Sequence, residues 1–197
     1  MSNFKALVDV NKAMEKMLRK YINNCVAIRF DLPDVDATPS EATLSVFLYD
    51  IHEDLQLRTA ESRGFNVSEG RLSPGWVNVK CNYLITYWES IKPATDPGNP
   101  DSQCDNQTVK VMSQVLAALI NNRQLENIPG AYTQVMPPKE SLNSLGNFWQ
   151  SLGNRPRLSL NYCVTVPISL SVSDKGEKVT PVKSLSTTVE PKAPVSP

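Results

Sequence analysis

One stretch restricts the fold more than any other: Arg157-Leu-Ser-Leu-Asn-Tyr-Cys-Val-Thr-Val-Pro-Ile-Ser-Leu170. Leu158, Leu160, Tyr162, Val164, Val166, Ile168 and Leu170 occupy every second position, with mostly polar residues between them. Side chains alternate across a strand, so this period predicts one long strand with an apolar face and a mainly polar face. Fully extended it would reach roughly 45 Å at about 3.3 Å per residue. Pro167 cannot donate to a ladder, so it predicts an edge position or a place where pairing changes. Two arrangements follow. Residues about 157–165 lie in the sheet while 166–172 project or pair at a periphery, or two shorter strands meet at Pro167 inside one domain.

A second long alternation runs from Trp76 to Trp88, with Val77, Val79, Cys81, Tyr83, Ile85 and Tyr87 on one face. Thr43 to Ile51 is a third strand, with Leu44, Val46 and Leu48 on one side. Phe47, Tyr49 and Ile51 on its other side predict cover on both faces. Cys25 to Phe30 and Tyr132 to Met136 read as shorter extended pieces. Three helices are expected. Phe4, Leu7, Val8, Met14, Leu18 and Tyr21 recur at helical spacing over about residues 3–22. Ser102-x-x-Asp105 resembles a capping box opening a helix that carries Val109, Met112, Val115, Leu116, Leu119 and Ile120. Pro137-Pro138 opens a third, which presents Leu142, Leu145, Phe148, Trp149 and Leu152 and stops at Gly153. The fold class expected is α+β: about three helices on a largely antiparallel, mixed sheet, with a long edge strand and an extended tail. Residues 1–172 are expected to form one domain. Residues 173–197, rich in Pro, Lys, Ser and Thr, cannot build a core of their own. Residues 53–75 read as a long excursion, of the kind that is usually functional.

Twenty basic and twenty acidic residues cancel, which speaks against a general nucleic-acid binder. The distribution is uneven. Between Asp31 and Gly70 nine acids face two bases, Arg58 and Arg63, a net of −7. The first twenty residues hold five bases and two acids, a net of +3. Such asymmetry reads most simply as two solvated faces; alternatively it steers like subunits or a partner into register. The four cysteines, Cys25, Cys81, Cys104 and Cys163, form no CxxC pair. Cys25, Cys81 and Cys163 are expected to be buried small apolar residues. There is no apolar leader and no run of about eighteen apolar residues, so cytoplasmic synthesis with reduced thiols and no membrane partner is expected. The glycosylation patterns Asn66-Val-Ser and Asn106-Gln-Thr are then expected to go unused.

The sequence contains no Walker loop, dinucleotide fingerprint, HExxH or GxSxG. His52 is the single histidine. It stands in Asp50-Ile-His-Glu-Asp54, which could be a metal or acid–base site but reads better as a polar strand end. Trp76, Tyr83, Tyr87 and Trp88 lack an accompanying basic stripe and are expected in the core. No catalytic, cofactor-binding or metal-ligating residue is assigned.

Four segments in order carry a resemblance. They are Leu44-Ser-Val-Phe-Leu-Tyr49 with Leu57-Arg58, Tyr83-Leu-Ile-Thr-Tyr-Trp88, Leu145-Gly-Asn-Phe-Trp149 with Leu152-Gly153, and Arg157-Leu-Ser-Leu-Asn-Tyr162. Together they resemble the cap, or tube-terminator, family of extracellular contractile injection systems, the N-terminal domain of virulence-cassette protein sixteen. The resemblance covers about residues 5–170. Two departures stand out: the segment between Arg58 and Trp76 is not short and Pro-rich, and the C-terminal tail is short.

The resemblance implies a structural protein and not an enzyme: a homo-hexameric ring closing the inner tube and anchoring the contractile sheath. It implies tube protein and sheath protein as partners, without nucleic acid. Its place would be the bacterial cytoplasm during assembly and then the assembled particle. On this reading Arg58, Arg63, Arg71, Arg157, Pro167, Ile168, Leu170 and Val172 are the interface candidates. A stand-alone peptide- or carbohydrate-binding module using residues 53–75, and an enzyme built on His52, are the alternatives.

Overall fold

The computed structural model describes residues 5–32, 40–56, 65–66, 68, 70–72, 75–89, 104–135, 149–150 and 157–170. Nine elements follow in chain order: α1 (Ala6–Arg19), β1 (Ala27–Arg29), β2 (Thr43–Glu53), β3 (Phe65–Asn66), β4 (Arg71–Leu72), β5 (Trp76–Trp88), α2 (Gln107–Asn121), β6 (Tyr132–Val135) and β7 (Ser159–Ser169). Five strands form one sheet in the order β1-β2-β5-β7-β6, and β3 and β4 pair as a separate short hairpin. β1 is parallel to β2 and the other pairs are antiparallel, so the sheet is mixed. The class is α+β. Two helices are present among the described residues. The third expected one falls largely outside them, although Trp149 and Gln150 are helical.

Register explains the core. Leu44, Val46 and Leu48 of β2 lie opposite Tyr87, Ile85 and Tyr83 of β5. Tyr83, Cys81 and Val79 lie opposite Tyr162, Val164 and Val166 of β7. Paired residues share a face, so three strands present one continuous apolar surface. It packs with the buried stripes of α1 (Val10, Met14, Met17, Leu18) and α2 (Val111, Met112, Val115, Ala118, Leu119). The Tyr83 hydroxyl donates to Asn11 Oδ1 at 2.9 Å, which ties α1 to the sheet. At the other end of α1, Lys16 Nζ meets Glu126 at 2.7 Å, and Lys20 meets the same carboxylate. Burial pushes the Tyr162 phenol up to about 12 and the Cys81 and Cys163 thiols up to about 11.

Several expectations are corrected. β7 is not an edge strand: it lies between β5 and β6. Nor do two short strands meet at Pro167. β7 pairs with β5 without a break from Ser159 to Ser169, so residues 166–169 belong to the sheet. The Leu170 N–H donates to the Gly75 carbonyl at 2.8 Å. Backbone polar groups alternate from side to side along a strand. Even-numbered residues of β7 therefore bond towards β5, and Pro167, lacking its donor, faces the β6 flank. Pairing does change there, because β6 extends only to Tyr132, opposite Thr165. The Ile128-Pro129-Gly130 turn then closes on the Pro167 ring, and a Cβ on Gly130 would stand 3.1 Å from Pro167 Cγ.

The second face of β2 is not fully covered, since Tyr49 is 49% exposed; Ile51, expected on that face, instead pairs with Cys81 and so lies on the helix side of the sheet, 48% exposed. The α2 cap is Asn106, whose Oδ1 accepts the Val109 N–H at 2.8 Å, and not the Ser102 box. Met14, Leu18, Met112, Val115 and Leu119 are buried as expected, while Val8, Val109 and Ile120 at the margins of the two stripes are exposed. Cys25 is exposed and sits in a turn before β1; Cys81 and Cys163 are buried as expected.

Candidate assembly interface

Part of β2 forms a free sheet edge among the described residues. β1 covers only Thr43–Ser45 of this strand. From Val46 to Glu53, no strand among the described residues lies beyond it. The edge contains a β-bulge: Leu48 opposes Tyr83, Asp50 opposes Asn82, and Tyr49 is the additional residue between them. A bulge bends and twists an edge and reverses the alternation beyond it. The Asp54 N–H bonds to the Asn78 carbonyl at 2.8 Å, so even residues after the bulge face β5. Ile51 and Glu53 turn their backbone groups outward.

Side chains reinforce this. Tyr49 and Ile51 are half exposed, and Leu55 just past the strand is 62% exposed. Asp50 Oδ2 accepts Asn82 Nδ2 at 2.9 Å and lies 2.8 Å from His52 Nδ1. The Asn82 amide first, and His52 next, hold the Asp50 carboxyl below its ordinary range despite slight burial. Asp54 Oδ2 accepts the Thr165 hydroxyl at 3.3 Å. Among the described residues no three His, Cys, Asp or Glu side chains come together in a way that could hold a metal. The chemistry here is that of a charged rim around apolar side chains, a pattern suited to protein contact. The sequence carries no clear signal for the bulge, because Phe47, Tyr49 and Ile51 keep an unbroken period of two.

The predicted interface residues scatter. Arg157 stacks over Trp88, 4.1 Å from the ring centroid, at the far end of the sheet. The Trp88 indole N–H in turn donates to Thr86 Oγ1 at 2.9 Å. This arginine is part of a local stack. Pro167 and Ile168 lie within β7, opposite Asn78 and Val77, and Leu170 is exposed just beyond it. Arg71 opens β4, opposite Asn66. Arg58, Arg63 and Val172 lie outside the described residues, as does most of the 53–75 excursion, of which the β3–β4 hairpin is described. No described helix is long and apolar enough to cross a membrane.

Fold and surface together define a class: an α+β domain with two helices packed on a mixed sheet that has a partly open edge among the described residues. The chain belongs to the Pvc16 N-terminal domain family, whose model matches residues 9–183. Solved structures similar to it include two terminators. One is the sheath/tube terminator of an extracellular contractile injection system, PVC, in the extended state. It is 66% identical, covering 97% of this chain and 65% of that one, with a TM-score of 0.72. The other is the anti-feeding prophage cap, a tube terminating cap. It is 78% identical, covering 100% of this chain and 66% of that one, with a TM-score of 0.73. The chain thus spans just under two thirds of the length of both. No curated protein sequence matches the chain.

Proposed function

We propose that this chain is the end-closing subunit of a phage-tail-like contractile injection particle. Copies form a six-fold ring that terminates the inner tube and anchors the sheath. The carrying observation is the identity of 66% and 78%, over nearly the whole chain, to a sheath/tube terminator and a tube terminating cap. The partners are then other copies of the chain, the tube protein and the sheath protein, and no reaction is catalysed. Assembly takes place in the bacterial cytoplasm, and the chain leaves as part of the particle. Of the residues singled out by sequence, Leu170, exposed at the end of β7, suits a contact surface best. Deleting the gene and imaging the remaining particles tests the proposal. Tubes of uncontrolled length or sheaths shed from their tubes are expected; particles of normal length with sheaths in place would refute it.

A further inference from the structure

The bulge in β2 decides which side chains the free edge shows, because it shifts the strand by one residue. Up to Leu48 the strand keeps one register, with Phe47 opposite Leu84 and Leu48 opposite Tyr83. Beyond Tyr49, Asp50 stands opposite Asn82, Ile51 opposite Cys81 and His52 opposite Lys80. Continuing the first register would instead set Tyr49 against Asn82, Asp50 against Cys81 and Ile51 against Lys80. A one-residue slip moves every side chain to the other face. The cross-strand polar match exists only in the bulged register. Asp50 Oδ2 accepts Asn82 Nδ2 at 2.9 Å, and His52 Nδ1 lies 2.8 Å from the same oxygen. After a slip, Asp50 and His52 would leave Asn82 and Lys80 for Cys81 and Val79, on the face where Cys81 and Tyr83 are fully buried. A carboxylate moved onto an apolar face without its donor is costly.

We propose that the Asp50–Asn82 pair is a register lock, which selects the bulged pairing of residues 49–53 over the regular pairing that their own apolar period favours. Phe47, Tyr49 and Ile51 keep a period of two, so a regular strand would set all three on one face. The bulge instead carries Ile51 to Cys81, at the margin of the core, and leaves Asp50 and His52 on the face of Asn82. Bulges at sheet edges re-aim side chains in this way and end regular pairing. A regular edge with three apolar residues at alternate positions is the kind that recruits a further strand. Asp50 and Asn82 therefore govern whether the outer half of β2 stays an irregular edge or becomes a template for pairing. The lock is a property of this domain and does not depend on the ring.

Disulfide trapping reads the register directly, in full chains that carry Cys25→Ser and Cys104→Ser. The Asp54 N–H bonds to the Asn78 carbonyl, so Ile51 and Cys81 face each other without mutual backbone hydrogen bonds. The Cα atoms of such a pair stand about 4.5 Å apart, within reach of a disulfide. Under copper–phenanthroline oxidation Ile51→Cys is expected to link to Cys81, as read by peptide mass. Adding Asn82→Leu should slow that link about tenfold, because a hydrogen bond to a charged group shifts an equilibrium by this much or more. Asp50→Cys stands on the face away from Cys81 in the bulged register, so it links to Cys81 only after a slip. Loss of the carboxylate is expected to allow that slip and produce the link. The two variants remove the lock from different strands, so one suffices should circular dichroism show the other unfolded. An Asp50→Cys chain that leaves Cys81 reduced would overturn the lock. So would an Ile51→Cys/Asn82→Leu chain that links as fast as Ile51→Cys alone. An Ile51→Cys chain that never links would refute the bulged register, and the lock with it.

Discussion

Gly130 and Gly70 allow the seating of β7 to be tested by one chemical change made at two places. Both have positive φ, 78° and 62°. A Cβ on Gly70 would meet nothing within 4 Å, whereas on Gly130 it would stand 3.1 Å from Pro167 Cγ. For Gly70→Ala the left-handed backbone costs about 1–2 kcal/mol. Reduced freedom of the unfolded chain offsets about 0.4–1 kcal/mol of that, leaving a net loss of about 0.5–1 kcal/mol. Gly130→Ala bears the same backbone cost and must also displace a ring that is closed onto its own strand. Overpacking of this kind adds about 1 kcal/mol or more. At about 2–4 °C per kcal/mol for a chain of this size, Gly130→Ala should lower Tm by about 4–8 °C and Gly70→Ala by half that or less. Urea unfolding of Gly130→Ala, Pro167→Ala and the double variant completes the cycle. Removing the ring should return about 1 kcal/mol of the Gly130→Ala cost, a coupling of the size seen between touching residues. Equal losses at the two glycines, or no coupling with Pro167, would refute the described closure of the 128–130 turn on β7.

Further expectations follow from the same packing. Cys25 and Cys104 are exposed and Cys81 and Cys163 buried; a thiol reagent should modify the first two quickly in native protein and all four only after unfolding, as read by mass. Tyr83→Phe removes the bond to Asn11 and should cost about 0.5–1.5 kcal/mol in urea unfolding. The Lys16 and Lys20 hydrogen bonds bring the Glu126 carboxyl from an ordinary 4.5 down to about 2. A carboxyl depressed in the fold contributes stability above its unfolded value and loses it as pH falls. The Glu126 contribution should therefore be complete above pH 4.5 and fade towards pH 2. Comparing acid unfolding of native protein and Glu126→Gln, at low and high salt, checks this; identical acid limbs would contradict it.

The long strands were legible because their period of two survives in the residues themselves. Trp76–Trp88 came out with its expected bounds, and the 157–170 run became Ser159–Ser169. What the period could not convey was which strand lies beside which. Pro167 pointed to an edge, yet a proline is tolerated inside the sheet wherever the neighbouring strand has already ended, as β6 has. Exposure was harder still. Phe47, Tyr49 and Ile51 look alike as apolar residues, and only the bulge separates them, by carrying Ile51 to the face of Cys81. The hairpin Phe65–Leu72 is held by two residue pairs, too few to leave a pattern in the sequence. The acidic character of residues 31–70 was visible as a charge imbalance, but which sheet edge is open required the strand order.

The central claim is that the chain closes tube ends as a ring of its own copies. Imaging the ends of particles assembled with this chain, by averaging views along the tube axis, tests it most directly. The account predicts six copies of the α+β domain seated as a ring on the last tube layer. Tube ends without this density, or the domain bound along the sides of the tube as isolated copies, would contradict it.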